Sequence, residues 1–157
     1  MRLKSIIYED YVNYRVPSLF LGTCYCDWKC CREAGVDVCQ NAFLASYPIV
    51  ELPDREIVGG YLSDPLTHAV VIGGLEPFMQ AKELACFIRA FRDACDDDIV
   101  IYTGYTLEEL SEHLERLMRY TGIVLKVGRY IPGQTPHYDA VLGVELASDN
   151  QRGVRIS

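Results

Sequence analysis

Short apolar runs alternate along the chain with segments whose apolar residues recur every three or four positions. The runs at residues 18–22, 68–74, 98–104 and 123–128 predict buried strands. Strands that alternate with amphipathic helices are typical of βα units on a parallel sheet. The pattern therefore predicts an α/β fold, with functional groups where the strands end.

Two amphipathic helices are predicted between these strands, and a third, shorter one at residues 54–63. The first helix follows Pro77, which suits a first helical turn. The second opens after Thr106 and Glu109, which form a capping box. The inward positions of the two helices are Phe78, Ala81, Leu84, Ala85, Ile88 and Phe91, and then Leu107, Leu110, Leu114 and Leu117. Beyond Gly128 the pattern weakens into a Pro/Gly-rich loop and a tail without predicted structure.

Length and composition favour one domain over residues 1–157. The chain has no repeat, linker or low-complexity tract, and its 50% hydrophobic and 24% charged residues are ordinary for a globular protein. A net charge of −7 argues against nucleic acid as the main partner, because phosphate contacts require basic side chains. No apolar run has the length of a membrane span, and the first residues are too polar for a secretory signal. We therefore expect a cytoplasmic protein with reduced cysteines.

Five of the seven cysteines fall within residues 22–41, which favours metal or redox chemistry in a reducing compartment. Cys26, Cys30 and Cys39 are separated by three and by eight residues, on a loop that leaves a predicted strand. A structural zinc site would need a fourth thiolate, from Cys24 or Cys31, as would a closed iron–sulfur cluster. A cluster held by three cysteines would leave one iron open to a substrate. Free thiols in a core are the remaining alternative.

Two pieces of this loop resemble the cluster loop of the radical S-adenosylmethionine superfamily. These are "CDWKC", which ends at Cys30, and "CQN", which begins at Cys39. The family usually has two residues between its second and third cysteines, so residues 32–38 are interpreted as an insertion. The resemblance implies a [4Fe-4S] cluster on Cys26, Cys30 and Cys39. Cys24 and Cys31 remain as neighbours or alternative ligands.

A second motif, "GGLEP", follows the next predicted strand. Alone, a Gly-Gly pair at a strand end most often makes a tight turn. Because "GGLEP" follows the cysteine loop along the chain, as in the family, it resembles the family's Gly-Gly-x-Pro element, which binds the amino group of S-adenosylmethionine. Gly73, Gly74 and Glu76 are therefore assigned to the cofactor by resemblance. Zinc explains the cysteine loop alone, whereas the cluster hypothesis explains both motifs.

Two later segments resemble the small activating proteins of anaerobic, class III ribonucleotide reductase. "IVIYTGYTLEEL" implies that Thr103 and Gly104 form the floor beneath the nucleoside, although a capped helix after a strand explains it equally. "ELASDNQRGVRI" implies that Asn150, Gln151 and Arg152 contact the cofactor or a partner, although a solvated turn before a last short strand is an equal alternative. The chain departs from the family where Lys126 stands near an expected aspartate.

The resemblance implies a partial, open parallel βα barrel of the radical S-adenosylmethionine type. It implies reductive cleavage of S-adenosylmethionine to a 5′-deoxyadenosyl radical, which generates a glycyl radical on an anaerobic ribonucleotide reductase or related enzyme. Flavodoxin or ferredoxin is the expected electron donor, and no catalytic residue is assigned beyond the cluster ligands. The alternatives are a radical enzyme that acts on another protein or peptide, and a non-catalytic iron–sulfur or zinc module.

Overall fold

A computed structural model describes residues 1–157. Ten strands and four helices make up the fold. The strands are β1 (Arg2–Leu3), β2 (Ser5–Asp10), β3 (Ser18–Thr23), β4 (Val50–Glu51), β5 (Ala69–Gly74), β6 (Asp98–Tyr102), β7 (Ile123–Val127), β8 (His137–Asp139), β9 (Val144–Leu146) and β10 (Arg152–Arg155). The helices are α1 (Lys29–Ala34), α2 (Asp54–Ser63), α3 (Ala81–Arg92) and α4 (Ser111–Leu117). None of the four helices has the length and apolar character needed to cross a membrane.

The main sheet has six strands in the order β10-β7-β6-β5-β3-β2. The inner strands β3, β5, β6 and β7 run parallel, whereas β2 and β10 are antiparallel to their neighbours at the two edges. Two small antiparallel pairs, β1 with β4 and β8 with β9, lie outside this sheet. Because the inner strands are parallel, their carboxyl ends lie at one edge of the sheet, where α/β proteins bind ligands.

The expectation of a partial, open parallel βα barrel is wrong. The structure contains a mixed six-stranded sheet with few helices. Strand β10 pairs with β7 from Arg152 opposite Val127 to Arg155 opposite Val124, so that edge is occupied by an antiparallel strand. Sequence reasoning did not predict β2 and offered a last strand at β10 only as one of two alternatives, because an edge strand contacts a neighbour on one side only and its apolar pattern is correspondingly weak.

The predicted inner elements are present with small changes in their bounds. Helix α2 covers the predicted residues 54–63, and the four predicted strands correspond to β3, β5, β6 and β7. Thr106 and Glu109 form the predicted capping box, in which the Thr106 N–H donates to Glu109 Oε2 at 2.9 Å. Turns occupy residues 107–110, however, so α4 begins only at Ser111.

Both faces of the parallel strands are buried. The helices cover one face and form a core of 21 buried residues, to which α3 contributes Phe87, Ile88 and Phe91. A second core of seven buried residues lies on the opposite face, where Tyr14, Leu142 and Leu146 pack against residues of β5, β6 and β7. Ala85, which was predicted to face inward, is exposed, and Phe87 takes its place in the apolar stripe. Packing on both faces makes the strands a rigid base for the loops at their carboxyl ends.

Candidate functional site

A cavity of about 680 Å³ lies at the carboxyl ends of the parallel strands. Its wall includes the loop after β3, the ends of β5 and β6, and Lys126 in β7. The volume falls within the range of small-molecule sites, about 300–1,000 Å³. The cavity therefore has the size and the position expected of a ligand site in an α/β protein.

Three of the seven cysteines, Cys26, Cys30 and Cys39, line this cavity as half-buried free thiols. Cys24 is buried and lines a second cavity of about 550 Å³, whose wall consists of hydrophobic residues and also includes Cys26. Cys31 lines neither cavity, although its Sγ lies 3.9 Å from Cys30 Sγ. The structure therefore brings together the three cysteines that the sequence singled out.

The cysteine loop is shaped by a left-handed residue and a short helix. Trp28 has a φ of +56°, and its N–H donates to Cys26 Sγ at 3.3 Å. Helix α1 begins at the next residue, carries Cys30 and ends before Gly35, which is also left-handed. The predicted insertion at residues 32–38 therefore begins inside this helix. Because α1 carries Cys30, the position of the helix determines where that thiol points.

A group of ion pairs holds α1 over the cavity. Lys29 pairs with Glu109 from the segment before α4. Arg129, which follows β7, lies 2.6 Å from Glu109 Oε1 and 3.3 Å from Glu33 Oε2. Burial opposes ionisation of Glu109, but hydrogen bonds from Arg129 and Lys29 outweigh it and lower its pKa to about 2. These contacts tie the cysteine helix to the ends of β6 and β7.

Glu76 joins the ends of β5 and β6 beneath the cavity. Its carboxylate is buried and accepts hydrogen bonds from the Thr103 hydroxyl at 2.8 Å, the Gly104 N–H at 3.0 Å and the Phe78 N–H at 3.2 Å. Burial raises the pKa of Glu76, and the three donors oppose that shift. The sequence assigned Glu76, Thr103 and Gly104 to the cofactor, and the structure places all three in the cavity wall, bonded to one another.

The glycine end of β5 packs closely against the segments around the cysteines. Gly74 has a φ of +84°, and a Cβ atom there would lie 3.0 Å from Leu44 Cδ1 and 3.2 Å from Gly22 Cα. Asn41, two residues after Cys39, donates from Nδ2 to the Gly74 carbonyl at 3.0 Å. Gly74 lines the cavity and Gly73 does not. Glycine is therefore required at position 74 both by the backbone conformation and by this close approach.

The tail contributes Gln151 to the cavity, whereas Asn150 lies outside its lining. Asn150 donates from Nδ2 to the Arg129 carbonyl at 2.8 Å, so it fastens the tail to the loop after β7. Gln151 is buried, and its Oε1 accepts from the Ala147 and Ser148 N–H groups. The tail motif contained both residues, but only the folded chain decides which of two neighbouring side chains faces the cavity.

Lys126 is a buried cation in the cavity wall, with 8% of its surface exposed. Its Nζ donates to the Gly128 carbonyl at 2.9 Å. Burial lowers the pKa of Lys126 to about 8, although the charge of Glu76 acts in the opposite direction. The sequence suggested this residue only as a replacement for an expected aspartate.

Comparison with known protein families matches residues 15–152 to the family described as "4Fe-4S single cluster domain". The chain belongs to this family. No curated protein and no solved structure gives a significant match. The family supports the prediction of a [4Fe-4S] cluster and identifies the chain as an iron–sulfur protein.

The cysteines of this 4Fe-4S single cluster domain fit such a group. A zinc ion needs its donors around one point, and no group of three or more His, Cys, Asp or Glu side chains is arranged to hold a single ion. The cysteines of a cluster bind different irons, so they line a volume larger than that around one ion, and Cys26, Cys30 and Cys39 line one cavity. Burial raises the pKa of the Cys26 and Cys30 thiols. Cluster binding must therefore release their protons, because the ligand is the thiolate.

We expect Lys126→Met to raise the free energy of unfolding at neutral pH by up to about 3 kcal/mol. Burial penalises the charged lysine in the folded state, as its lowered pKa indicates, and methionine removes that penalty. The unfolded chain binds this proton more tightly than the folded one, so the folded state is penalised fully below pH 8. The penalty disappears as the pH rises from about 8 to the ordinary pKa of 10.5. Urea unfolding of both proteins across this range measures the difference. A gain in stability that does not change with pH would contradict it.

Proposed function

We propose that Cys26, Cys30 and Cys39 hold a [4Fe-4S] cluster with one open iron, and that the protein reductively cleaves S-adenosylmethionine there. One observation carries the proposal: of seven cysteines, only these three line the cavity that also contains the glycine end of β5. When bound, a reduced cluster supplies one electron to the sulfonium, whose C–S bond breaks to give methionine and a 5′-deoxyadenosyl radical.

The residues of the chain bind and orient the cofactor. The absence of a side chain at Gly74 lets the end of β5 pack closely against Leu44 and Gly22, which places its backbone in the cavity wall beside the cysteine loop. Thr103 and Gly104 form the next part of the wall, and Glu76 fixes their position relative to β5. The ion pairs of Arg129 hold α1 over the cavity, so Cys30 keeps its place and water has less access.

The hydrogen donor in this proposal is a glycyl-radical enzyme, most closely an anaerobic ribonucleotide reductase, whose glycine loses a hydrogen atom to the 5′-deoxyadenosyl radical. Flavodoxin or ferredoxin is the electron donor. The exposed apolar side chains Ile7, Val12, Phe43 and Tyr47 line the same cavity. Exposed apolar surface around a cavity is typical of a protein-binding site. An open, apolar mouth supports a polypeptide that inserts a loop rather than a small substrate enclosed on all sides.

A non-catalytic iron–sulfur module is a second candidate, favoured by the family match, which specifies a single cluster and no reaction. A module of this kind would bind the cluster without consuming S-adenosylmethionine. A radical enzyme that acts on another protein or peptide would share the cleavage step but not the partner. Cleavage of S-adenosylmethionine and radical formation on a partner enzyme therefore need separate measurements.

We expect the anaerobically reconstituted, reduced protein to produce 5′-deoxyadenosine from S-adenosylmethionine, and Cys39→Ala to produce none. Liquid chromatography measures the product, and omission of the reductant is the control. Incubation with an anaerobic ribonucleotide reductase should then produce the electron paramagnetic resonance doublet of a glycyl radical. A bound cluster without cleavage would favour the non-catalytic module. Cleavage without the doublet in any glycyl-radical enzyme would remove the activase assignment and keep the radical chemistry.

A further inference from the structure

The ammonium group of Lys126 lines the cavity without a counterion. The side chain is 8% exposed, and its single hydrogen bond goes to the Gly128 carbonyl. An ammonium has three N–H donors, so two remain without a protein acceptor. No carboxylate lies within ion-pair distance of Nζ. Buried charges in proteins are normally paired, because removing an unpaired ion from water costs several kcal/mol.

Three carboxylates line the same cavity, those of Asp10, Glu76 and Glu145, and none of them forms an ion pair with Lys126. Glu76 is the carboxylate whose charge acts on Lys126, but both of its oxygens accept hydrogen bonds from Thr103, Gly104 and Phe78. Asp10 accepts from the Asn13 side-chain amide at 2.9 Å. The protein therefore offers Lys126 no partner, and the free donors of its ammonium are available to a ligand in the cavity.

We propose that Lys126 binds an oxyanion, a carboxylate or phosphate group, of the ligand that occupies this cavity. The inference rests on the proposed function only in taking S-adenosylmethionine as one source of that group; the other source is an acidic group of the substrate. The buried ammonium supplies a charge-assisted hydrogen bond, which is stronger than a neutral one. Lys126 is a binding residue in this role and takes no part in bond breaking.

The position of Lys126 favours the substrate as the source of the anion. Lys126 pairs in register with Tyr102 of β6, and β6 separates its strand from β5. With strands about 4.8 Å apart, Lys126 lies about 10 Å across the sheet from the glycine end of β5. In the proposed function, S-adenosylmethionine would bind beside the open iron, at the cysteine side of the cavity. An anion at Lys126 therefore belongs to the opposite end of the cavity.

The first test uses inorganic phosphate and acetate as probes on the reconstituted protein at constant ionic strength. We expect each probe to raise the Tm of the wild type in a saturable way, because it binds the folded state only. Lys126→Met should lose the shift, Lys126→Arg should keep it, and Arg119→Met, a change to an exposed residue after α4, should leave it unchanged. The same shift in Lys126→Met, or no saturable shift in the wild type, would overturn the proposal.

Equilibrium binding of S-adenosylmethionine to the same proteins distinguishes the two sources. A loss of about tenfold or more in Lys126→Met identifies the methionyl carboxylate as the anion. Unchanged affinity together with a lost phosphate or acetate shift identifies an acidic group of the substrate. Failure of every protein to bind S-adenosylmethionine would refute the proposed function, while the probe measurements would still decide whether Lys126 binds an oxyanion.

Discussion

Replacement of Cys26, Cys30 or Cys39 with alanine will abolish binding of the [4Fe-4S] cluster, whereas Cys24→Ala and Cys31→Ala will retain it. Each of the first three thiols lines the large cavity, so its removal takes away one of the three ligands that we propose for the cluster. Cys24 faces the second cavity, and Cys31 lines neither. Iron and sulfide content after anaerobic reconstitution, together with the charge-transfer absorbance of the cluster, measures the outcome.

The matched pair in this experiment is Cys30 and Cys31, which are adjacent in α1 with sulfur atoms 3.9 Å apart. Both substitutions remove one thiol from the same helical turn, so an effect on helix stability would be similar in the two variants. Loss of the cluster in Cys31→Ala with retention in Cys39→Ala would show that Cys31 is the third ligand. That result would also remove the assignment of residues 32–38 as an insertion between ligands.

Glu76→Gln should lower the free energy of unfolding by about 1–3 kcal/mol, because the loss of a hydrogen-bond acceptor outweighs the relief of the burial that raises the pKa of Glu76. The wild-type carboxylate accepts from two backbone N–H groups and the Thr103 hydroxyl, at a site that is 5% exposed. A glutamine amide keeps one acceptor oxygen and turns an NH₂ group toward donors. At least one buried donor then lacks an acceptor, which costs about 1–3 kcal/mol, and more when a charged acceptor is lost.

Urea unfolding of Glu76→Gln beside Glu115→Gln measures this difference. Glu115 lies on the exposed side of α4, and its carboxylate accepts no hydrogen bond, so its neutralisation should change stability by less than about 0.5 kcal/mol. Equal effects of the two substitutions would mean that the carboxylate does not hold β5 and β6 together. In that case the positions of Thr103 and Gly104 would need another explanation.

The inner strands and helices were predictable because the sequence patterns that specify them are local. Strands β3, β5, β6 and β7 are buried on both faces and therefore consist of continuous apolar runs, and α3 has a clear apolar stripe. The edge strands β2 and β10 lack such runs, since each is paired along one side only. The barrel expectation failed at these edges, where antiparallel strands flank the parallel ones.

The candidate site was predictable only in part. Cysteine spacing and glycine position are properties of the chain, so the sequence could single out Cys26, Cys30, Cys39 and Gly74. Arg129 forms ion pairs with Glu109 and with Glu33, which lie about twenty or more positions earlier in the chain. No local sequence pattern indicates such pairs. Gln151 faces the cavity and Asn150 does not, because the turn before β10 orients the two side chains differently.

The sequence by itself determined the alternation of strands and helices and the crowding of thiols after the first inner strand. Both depend on neighbours along the chain: apolar periodicity selects the local conformation, and a few residues of loop bring the cysteines near one another. The tertiary structure alone decided which thiols share a cavity, which strands close the sheet, and that Lys126 is a buried cation without a counterion. Burial and ion pairing depend on residues far apart in sequence, so they exist only once the sheet has assembled.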